Sequence, residues 1–400
     1  MTPTRFGIDL LLADPPASLA SARVGLVTND AATTSVASPG GALVPSRVAL
    51  LRAGVRLARL FSPEHGLAAA APDGAAVDHG VDPLTGLPVT SLYGATQRPT
   101  REMLADVDIL LFDIPDIGCR YYTYIWTLSH VMEACAETGT PLWVLDRPNP
   151  LGGDLAAAEG PMLDEARLST FVGRWSIPVR HSLTLGELAR LWQEERGLDL
   201  ALRVIPVAGW RRQEHWPGTG NPFVPPSPNM PSYETALLYP GTCLVEGTNL
   251  SEGRGTALPF RVVGAPWLDG WRLAQDFNEL ALPGIRARPI QFTPSRGKHA
   301  GESCQGVMLH PTDPLRLRPV AAGLHLLARI IRQHPEKFAW LPYPTAANQP
   351  GFGHFDRLIG RLDVRETLAA LPPDLPQCIQ EWTQVPGWPA RVAWILDRKQ

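Results

Sequence analysis

The pentapeptide SPEHG has the residue types and spacing of a catalytic turn, because it places Glu64 beside His65 directly after an apolar segment. Pro63 and Gly66 favour a turn that presents both side chains to solvent. A glutamate in such a turn can act as a general acid, since burial raises the pKa of a carboxyl group and an adjacent histidine can share the proton. The pair equally suits a buried ion pair that holds the turn, because perturbed carboxylates also occur in structural networks.

The segment DIPDIGCRYYTY has the composition of a sugar-binding surface, since it contains Asp116, Arg120, Tyr121 and Tyr124. Aromatic rings stack against the axial C–H faces of a sugar, and planar polar groups bind its hydroxyls. The alternative is a helix N-terminus that Asp116 caps, with the tyrosines half-buried in packing. The sequence alone leaves both interpretations open.

A third polar segment, EGTNLSEGRGT, combines Glu246, Asn249, Glu252 and Arg254 with three glycines. That glycine content disfavours a helix and predicts tight turns with close backbone approach. A loop of this composition is typical of a functional site or of an oxygen-rich calcium site. The guanidinium of Arg254 disfavours the calcium interpretation, because it would compete with the cation electrostatically.

Short apolar runs that alternate with helical patterns predict the scaffold for these segments. The predicted strands lie at 22–29, 55–64, 106–116, 141–150, 200–207 and 306–313, and the predicted helices at 45–54, 122–137, 184–196, 269–281 and 318–334. Continuous apolar strands separated by helices indicate a parallel sheet covered on both faces, as in an α/β, Rossmann-like fold. Thr184 and Glu187 have the spacing of a capping box at a helix start.

Polar residues follow four of these strands at the point where each ends: Asn29, Glu64, Asp116 and Asn149. Asn149 lies in the run LDRPNP, where two prolines stiffen a turn that either binds a ligand or closes the domain. In open α/β sheets, ligands bind at the carboxyl ends of the strands. The sequence therefore predicts that these residues converge on one cleft.

The chain length predicts two domains, because 400 residues exceed the roughly 250–300 at which a single core stops growing. We place the junction between about 210 and 235, where Pro, Trp, Gly and Asn dominate. The prediction is a Rossmann-like N-terminal catalytic domain at 20–225 and a smaller α+β C-terminal domain at 235–400. This segment forms either a lid over the cleft or a fixed junction. Five prolines between 222 and 231 favour the fixed junction, in which we expect Asn229 to be the one residue that faces the substrate.

The composition disfavours several classes of partner. A formal net charge of -3 with dispersed Lys and Arg provides no basic surface for nucleic acid. No apolar run approaches the roughly 20 residues of a membrane span. Five widely spaced cysteines argue against a disulfide framework and a structural zinc. The first residues do not resemble a signal peptide, so we expect a cytoplasmic protein, or a secreted or periplasmic one if the natural leader is missing.

Motifs of other enzyme classes are missing from the sequence. It has no GxGxxG after the first strand, no GxxxxGK(S/T), no GxSxG and no HExxH, which disfavours dinucleotide and nucleotide enzymes despite the Rossmann-like pattern. A metal-dependent hydrolase that uses His65, His79, His181 and the acids is an alternative, but no HxH or HxxxH pair supports it.

Seven motifs in order give the chain a resemblance to a known family. They are GLVTN, FSPEHG, DIPDIGCRYYTY, LDRPNP, PSPNMPS, EGTNLSEGRGT-PF and GAPW, in a match that extends from about residue 22 to the FGHFDRLIG segment (351–360). Together they resemble the NamZ-type exo-β-N-acetylmuramidases, glycoside hydrolases of bacterial cell-wall breakdown. The resemblance implies release of N-acetylmuramic acid from the non-reducing ends of peptidoglycan fragments or muropeptides, in an active cleft between the N-terminal and C-terminal domains. It also implies that no cofactor or metal is needed.

The resemblance also implies roles for individual residues. Glu64 becomes the candidate catalytic acid, with His65 beside it, and Glu252 or else Glu246 the second carboxylate. The lactyl carboxylate of the substrate needs a cationic partner, for which Arg120 or Arg254 is the hypothesis. The residues implied to bind the sugar are Asn29, Asp116, Arg120, Tyr121, Tyr124, Asn149, Asn229, Glu246, Asn249 and Arg254.

Two carboxyl groups are expected because one protonates the leaving oxygen while the other acts as base or nucleophile. The substrate's own 2-acetamido group can replace the nucleophile. The alternative function is a non-catalytic muropeptide- or carbohydrate-binding protein with the same aromatic cleft, which only turnover distinguishes. The sequence does not determine the oligomeric state.

Overall fold

The protein's structure is a computed structural model that describes residues 4–38, 41–342 and 353–397. Its strands are β1 (Val24–Thr28), β2 (Leu57–Ser62), β3 (Gly80–Val81), β4 (Pro88–Ser91), β5 (Ile109–Asp113), β6 (Leu142–Leu145), β7 (Leu202–Ile205), β8 (Val262–Ala265), β9 (Ile285–Phe292) and β10 (Cys304–Pro311). Its helices are α1 (Gly7–Ala13), α2 (Ala17–Ser21), α3 (Ser46–Arg52), α4 (Arg101–Leu104), α5 (Tyr124–Thr138), α6 (Glu165–Leu168), α7 (Leu185–Glu195), α8 (Tyr233–Thr242), α9 (Gly270–Asn278), α10 (Pro319–Gln333), α11 (His354–Ile359), α12 (Asp363–Ala370), α13 (Leu375–Thr383) and α14 (Trp388–Asp397). Residues 351 and 352, at the start of the FGHFDRLIG segment, lie outside the described residues.

The first sheet has the strand order β3-β4-β2-β1-β5-β6-β7. Its neighbouring strands are parallel except for the edge pair β3 and β4. Counted along the chain without β3, the parallel strands have the order 3-2-1-4-5-6, which is that of a Rossmann fold. The prediction of an α/β, Rossmann-like sheet is confirmed.

The sheet centre follows directly from the sequence, because every residue of VGLVT in β1 and of ILLFD in β5 is buried. Strands covered by helices on both faces need apolar side chains on both faces.

The predicted capping box starts α7, where the Thr184 side chain accepts the Glu187 amide and the Glu187 carboxylate accepts the Thr184 amide.

The junction segment packs across the carboxyl edge of this sheet beside β1. The Trp216 ring lies against Phe6 and Phe223, with centroids 6.0 and 5.8 Å apart. The carbonyl oxygen of Pro226 accepts hydrogen bonds from Asn29 and Tyr124. In a Rossmann fold a dinucleotide binds in this crevice, so the junction segment occupies the approach that such a ligand would need.

The second sheet is antiparallel, with the order β8-β10-β9, and α9 packs against it. Helix α10 packs against both α8 and α9. Helices α8 and α10 approach closely at Gly241, where an added Cβ would lie 2.0 Å from the Pro319 carbonyl oxygen. This α+β unit is the smaller of the two, as predicted.

The last helices return to the first unit. Helix α14 packs against α7, and the Trp388 indole N–H donates to the His181 carbonyl at 2.9 Å. The segment that was predicted as a separate C-terminal domain therefore contributes to both units. Within the described ranges, no helix has the length and apolar character that crossing a membrane requires.

Candidate active site

A cleft with about 660 Å³ of empty space, partly open to solvent, lies between the two units. Its polar and aromatic lining includes Glu64, His65, Asp73, Tyr93, Tyr121, Tyr122, Thr123 and Phe171 from the first unit, Ser227 and Asn229 from the junction, and Tyr239, Glu246, Arg254, Phe260 and His354 from the second. The predicted cleft between the domains is thus present.

Glu64 reaches the cleft from the turn that follows β2, and its side chain is almost fully buried. Its Oε1 accepts the Gly74 amide at 2.8 Å, and its Oε2 accepts the hydroxyl of Thr123 at 2.6 Å. Thr123 directly precedes α5. The carboxyl group is therefore held in one orientation by two separate loops.

His65 has a left-handed backbone conformation, with φ 67°, and Gly66 follows it with φ 73°. Such a φ is uncommon for a residue with a side chain, and strained positions of this kind cluster at functional sites. The His65 Nδ1 lies 2.8 Å from the Ala71 carbonyl. Because a carbonyl oxygen only accepts, Nδ1 carries the proton, and Nε2 of the neutral ring is left as a proton acceptor.

Glu246 lines the opposite wall and lies in a short 3-10 helix, Cys243–Gly247. Arg254 donates to its Oε1 at 2.6 Å, and His354 Nε2 lies 3.2 Å from its Oε2. Burial by itself raises the pKa of this carboxyl group, but Arg254 and His354 together outweigh burial and hold the pKa at about 2. Glu246 is therefore a fixed anion at any physiological pH.

Arg254 connects the two walls. Its guanidinium contacts Glu246, Asp73 of the first unit at 3.0 Å and Glu252 at 3.4 Å. It also lies over the Phe260 ring, 4.9 Å from the centroid. Its charge is thus shared among three carboxylates from both sides of the cleft.

Aromatic rings form much of the remaining surface. Tyr122 meets Tyr239 edge to face at 6.0 Å, and Tyr239 packs on Phe260 at 4.7 Å. The hydroxyl of Tyr121 donates to the Pro240 carbonyl. Apolar ring faces next to fixed polar groups suit a sugar, whose C–H faces and hydroxyls need both.

Asn229 brings an amide from the junction to the cleft. Its Oδ1 accepts the Arg296 guanidinium at 3.3 Å, and its Nδ2 is buried with no hydrogen-bond partner among the described residues. Because a guanidinium has only donors, this contact fixes which end of the amide accepts. The Nδ2 group is therefore left to donate to a bound molecule.

Two family models match the chain. "Exo-beta-N-acetylmuramidase NamZ, N-terminal" matches residues 24–234, and "Exo-beta-N-acetylmuramidase NamZ, C-terminal" matches residues 237–384. The chain belongs to the NamZ family. It is 44% identical over 355 residues to the peptidoglycan β-N-acetylmuramidase NamZ of Bacillus subtilis (strain 168), covering 88% of this chain and 81% of that protein.

Solved structures of related proteins have the same fold. A DUF1343 family protein from Bacteroides fragilis superposes with a TM-score of 0.85 at 31% identity, covering 99% of both chains. A second DUF1343 family protein from the same organism gives a TM-score of 0.72 at 26% identity and covers 98% of both. The fold described here therefore extends over nearly the whole length of both of these proteins.

Six of the residues predicted for this NamZ-family site line the cleft: Glu64, His65, Tyr121, Asn229, Glu246 and Arg254. The other seven do not line the cleft. Of the four strand-end residues that were predicted to converge on it, only Glu64 does so.

Asn29 and Tyr124 bind each other at 3.2 Å, and both donate to the Pro226 carbonyl. They fasten the junction to the first sheet.

Asn149 and Asn249 also stabilise loops. The Asn149 amide donates to the Leu183 carbonyl and accepts the Leu151 amide. The Asn249 amide donates to the Lys337 carbonyl and accepts the Ala339 amide. Both ends of each side chain are thus occupied by backbone groups.

Asp116 is buried behind the cleft, and it does not cap α5, whose preceding residue is Thr123. Its Oδ2 accepts the Gly118 amide at 2.7 Å and lies 3.8 Å from His181 Nε2. Burial raises the pKa of this carboxyl group to about 7. It borders a smaller cavity with Arg147 and Trp216.

Glu252 is not among the residues that line the cleft. It is 2% exposed, and its Oε2 lies 2.9 Å from the Lys298 ammonium. If either member of such a buried ion pair moved away, the other would be left as an unpaired buried charge. Of the two predicted second carboxylates, only Glu246 faces the cleft.

Arg120 is a structural residue, which corrects its assignment to the substrate carboxylate. Its side chain is fully buried, and its guanidinium donates to four carbonyls: Pro161, Ile177, Leu358 and Ile359. Those carbonyls belong to segments of both units. No substrate group can reach the charge.

We expect Arg120→Met to lower the free energy of unfolding by about 3–5 kcal/mol, because it leaves buried carbonyls without donors. Urea unfolding measures this, with the exposed Arg167→Met as the control. Sugar selectivity of the folded variant should equal that of the wild type. A loss of muramide selectivity without a loss of stability would return Arg120 to the substrate site.

The sequence reasoning did not single out Asp73, Thr123 or His354. His354 lies within the FGHFDRLIG segment of the family resemblance, which was the available signal. Asp73 and Thr123 matter only through contacts with Arg254 and Glu64. Among the described residues, no group of three or more His, Cys, Asp or Glu side chains is arranged to hold a metal ion.

Proposed function

We propose that this chain is an exo-acting glycoside hydrolase that releases N-acetylmuramic acid from the non-reducing ends of peptidoglycan fragments. The observation that carries the proposal is a fixed glutamic acid, Glu64, in the same aromatic-walled cleft as a fixed anion, Glu246. Membership of the NamZ family and the name of the Bacillus subtilis relative support the choice of substrate.

Glu64 is the better candidate for the catalytic acid. A general acid must hold its proton near the working pH. Arg254 and His354 keep the pKa of Glu246 at about 2, too low for that role. Glu64 has no ion-pair partner of this kind among the residues that the structure describes, and it contacts an amide and a hydroxyl instead.

Glu246 then stabilises the positive charge that develops on the sugar ring as the glycosidic bond breaks. The transition state of glycoside hydrolysis resembles an oxocarbenium ion, which a nearby carboxylate favours electrostatically. The substrate's acetamido oxygen is available as the nucleophile. The Nδ2 group of Asn229 is suited to orient a substrate oxygen.

His65 is suited to move protons beside Glu64. Its Nδ1–H is occupied by the Ala71 carbonyl, so its Nε2 accepts a proton from water or from the sugar.

The first test is release of 4-nitrophenol from 4-nitrophenyl β-N-acetylmuramide and from the matching glucosaminide, with and without a chelator. We expect turnover of the muramide that exceeds turnover of the glucosaminide and is insensitive to the chelator. Saturable sugar binding without turnover would instead indicate a muropeptide-binding protein, and inhibition by the chelator would indicate a metal-dependent hydrolase.

A further inference from the structure

We propose that Arg296 selects muramic over glucosamine ends, by binding the lactyl carboxylate of the terminal sugar at the rim of the cleft. The inference rests on the proposed function. N-acetylmuramic acid differs from N-acetylglucosamine by its lactyl ether, whose carboxylate is the one charge on the sugar. A selective site therefore needs a cation whose charge is available to that group.

The other cations near the cleft are engaged with protein groups. Arg254 contacts three carboxylates, and Arg120 is buried among carbonyls. Lys298 is paired with Glu252 and donates to the carbonyls of Val245 and Leu250. A substrate carboxylate would have to displace one of these partners at a considerable cost.

Arg296 differs from these three cations. Its side chain is exposed, and its guanidinium reaches the cleft-lining residue Asn229 through one hydrogen bond of 3.3 Å. Within the described part of the chain, no carboxylate forms an ion pair with it. One N–H group of the guanidinium is thus held by Asn229 beside the cleft, while its other N–H groups remain available to an anion.

The loop that carries Arg296 is firmly attached beside the cleft. The Ser295 amide and hydroxyl both donate to the Gly255 carbonyl, at 2.9 and 2.7 Å. A Cβ on Gly255 would lie 2.6 Å from the Arg296 backbone nitrogen, so the two backbones are in close contact. His299 Nε2 also lies 2.8 Å from the Asn249 carbonyl. The arginine therefore projects from a fixed loop rather than from a free one.

This placement links charge recognition to the sugar-binding amide. Arg296 fixes Asn229 Oδ1 as an acceptor, which turns the Asn229 Nδ2 group toward a bound ligand. A carboxylate on Arg296 and a sugar oxygen on Asn229 would then be bound by neighbouring groups. Such an arrangement recognises the lactyl substituent together with the ring that bears it.

The test is kcat/KM for 4-nitrophenyl β-N-acetylmuramide and for its lactyl N-methylamide, which removes the charge by replacing one carboxylate oxygen with an N-methyl group, with wild type and Arg296→Ala. We expect the wild type to prefer the free acid about tenfold, as one charge-assisted hydrogen bond predicts. Arg296→Ala should treat both substrates alike, and Arg296→Lys should keep part of the preference. Added salt should weaken the wild-type preference, because the rim is exposed to solvent.

Arg288→Ala is the matched control, since Arg288 is an exposed arginine on β9 that contacts the Met308 sulfur rather than the cleft. It should behave as wild type. A full preference for the free acid in Arg296→Ala would overturn the inference. An equal loss on both substrates would also overturn it, because Arg296 would then act only by positioning Asn229. If the wild type turns over neither substrate, the proposed hydrolase fails, and calorimetric binding of N-acetylmuramic acid to the same variants still tests Arg296.

Discussion

Glu64→Gln is expected to lower kcat/KM about 10²–10⁴-fold on a disaccharide with N-acetylmuramic acid at its non-reducing end, which is the range for loss of a general acid. The loss should be much smaller on 4-nitrophenyl muramide, because 4-nitrophenolate departs without a proton. Comparing the two leaving groups thus separates proton donation from substrate binding.

The Glu64 side chain can be changed to an amide without disturbing the turn. A glutamine oxygen can accept the Gly74 amide, and its NH₂ group can donate to the Thr123 hydroxyl oxygen. The melting temperature should therefore stay near that of the wild type. Glu137→Gln, at an exposed position on α5, is the matched control and should leave both activities unchanged. Equal losses on the two leaving groups would mean that Glu64 does not protonate the departing oxygen.

Arg254→Met is expected to have the second largest effect, because it removes the cation that Glu246, Asp73 and Glu252 share. Breaking a buried ion pair by removing one partner costs about 3–5 kcal/mol of stability. Activity should fall as well, since Glu246 loses its main electrostatic support. Urea unfolding and kcat/KM on the disaccharide measure the two effects, with Arg288→Met as the control.

The pH dependence of this variant has a definite sign. In the wild type, Glu246 has a pKa of about 2, below its value in the unfolded chain, so its contribution to stability is complete above the unfolded pKa and is lost as the pH falls toward 2. Without Arg254 the pKa of Glu246 rises, since burial is then opposed by His354 alone. In the variant, the pH at which acidification begins to destabilise the protein should therefore be higher than in the wild type. The acidic limb of the pH–activity profile should also shift to higher pH. An acidic limb that stays in place would show that Glu246 does not need to be ionised for activity.

A double variant, Glu246→Gln with Arg254→Met, separates the two causes. It should recover part of the stability, because the buried carboxylate is no longer left without its cation. It should not recover activity if the anion itself favours the transition state. Recovery of activity would instead assign Glu246 a purely structural role.

Several features of this protein were determined by local sequence. The apolar runs of β1 and β5 specify buried parallel strands, and Thr184 with Glu187 specifies the start of α7. These are interactions among residues a few positions apart or along one strand, which is why a pattern predicts them. The pattern did not reveal β4, β9, α8 or the three C-terminal helices α12, α13 and α14. In α8, every residue from Thr235 to Thr242 is buried, so no apolar stripe of helical period marks this helix in the sequence.

The position of Glu64 in the turn after β2 was likewise predictable, because a strand end and a Pro-Gly turn are local properties. The family resemblance added the cleft between the two units and the assignment of the polar motifs to a sugar site. Sequence therefore determined the scaffold, the family and the candidate acid.

Only the tertiary structure decided which polar residues share that cleft. Arg120 binds carbonyls at residues 358 and 359, and Asn29 and Tyr124 bind the junction at Pro226. Arg254 and His354 bind Glu246 where it faces the cleft, while Lys298 forms an ion pair with Glu252, which does not line the cleft. The physical reason is that a charged or amide side chain takes the partner that packing brings near. Apart from Arg254, which is eight residues from Glu246, those partners lie tens to hundreds of residues away, beyond the reach of any local pattern.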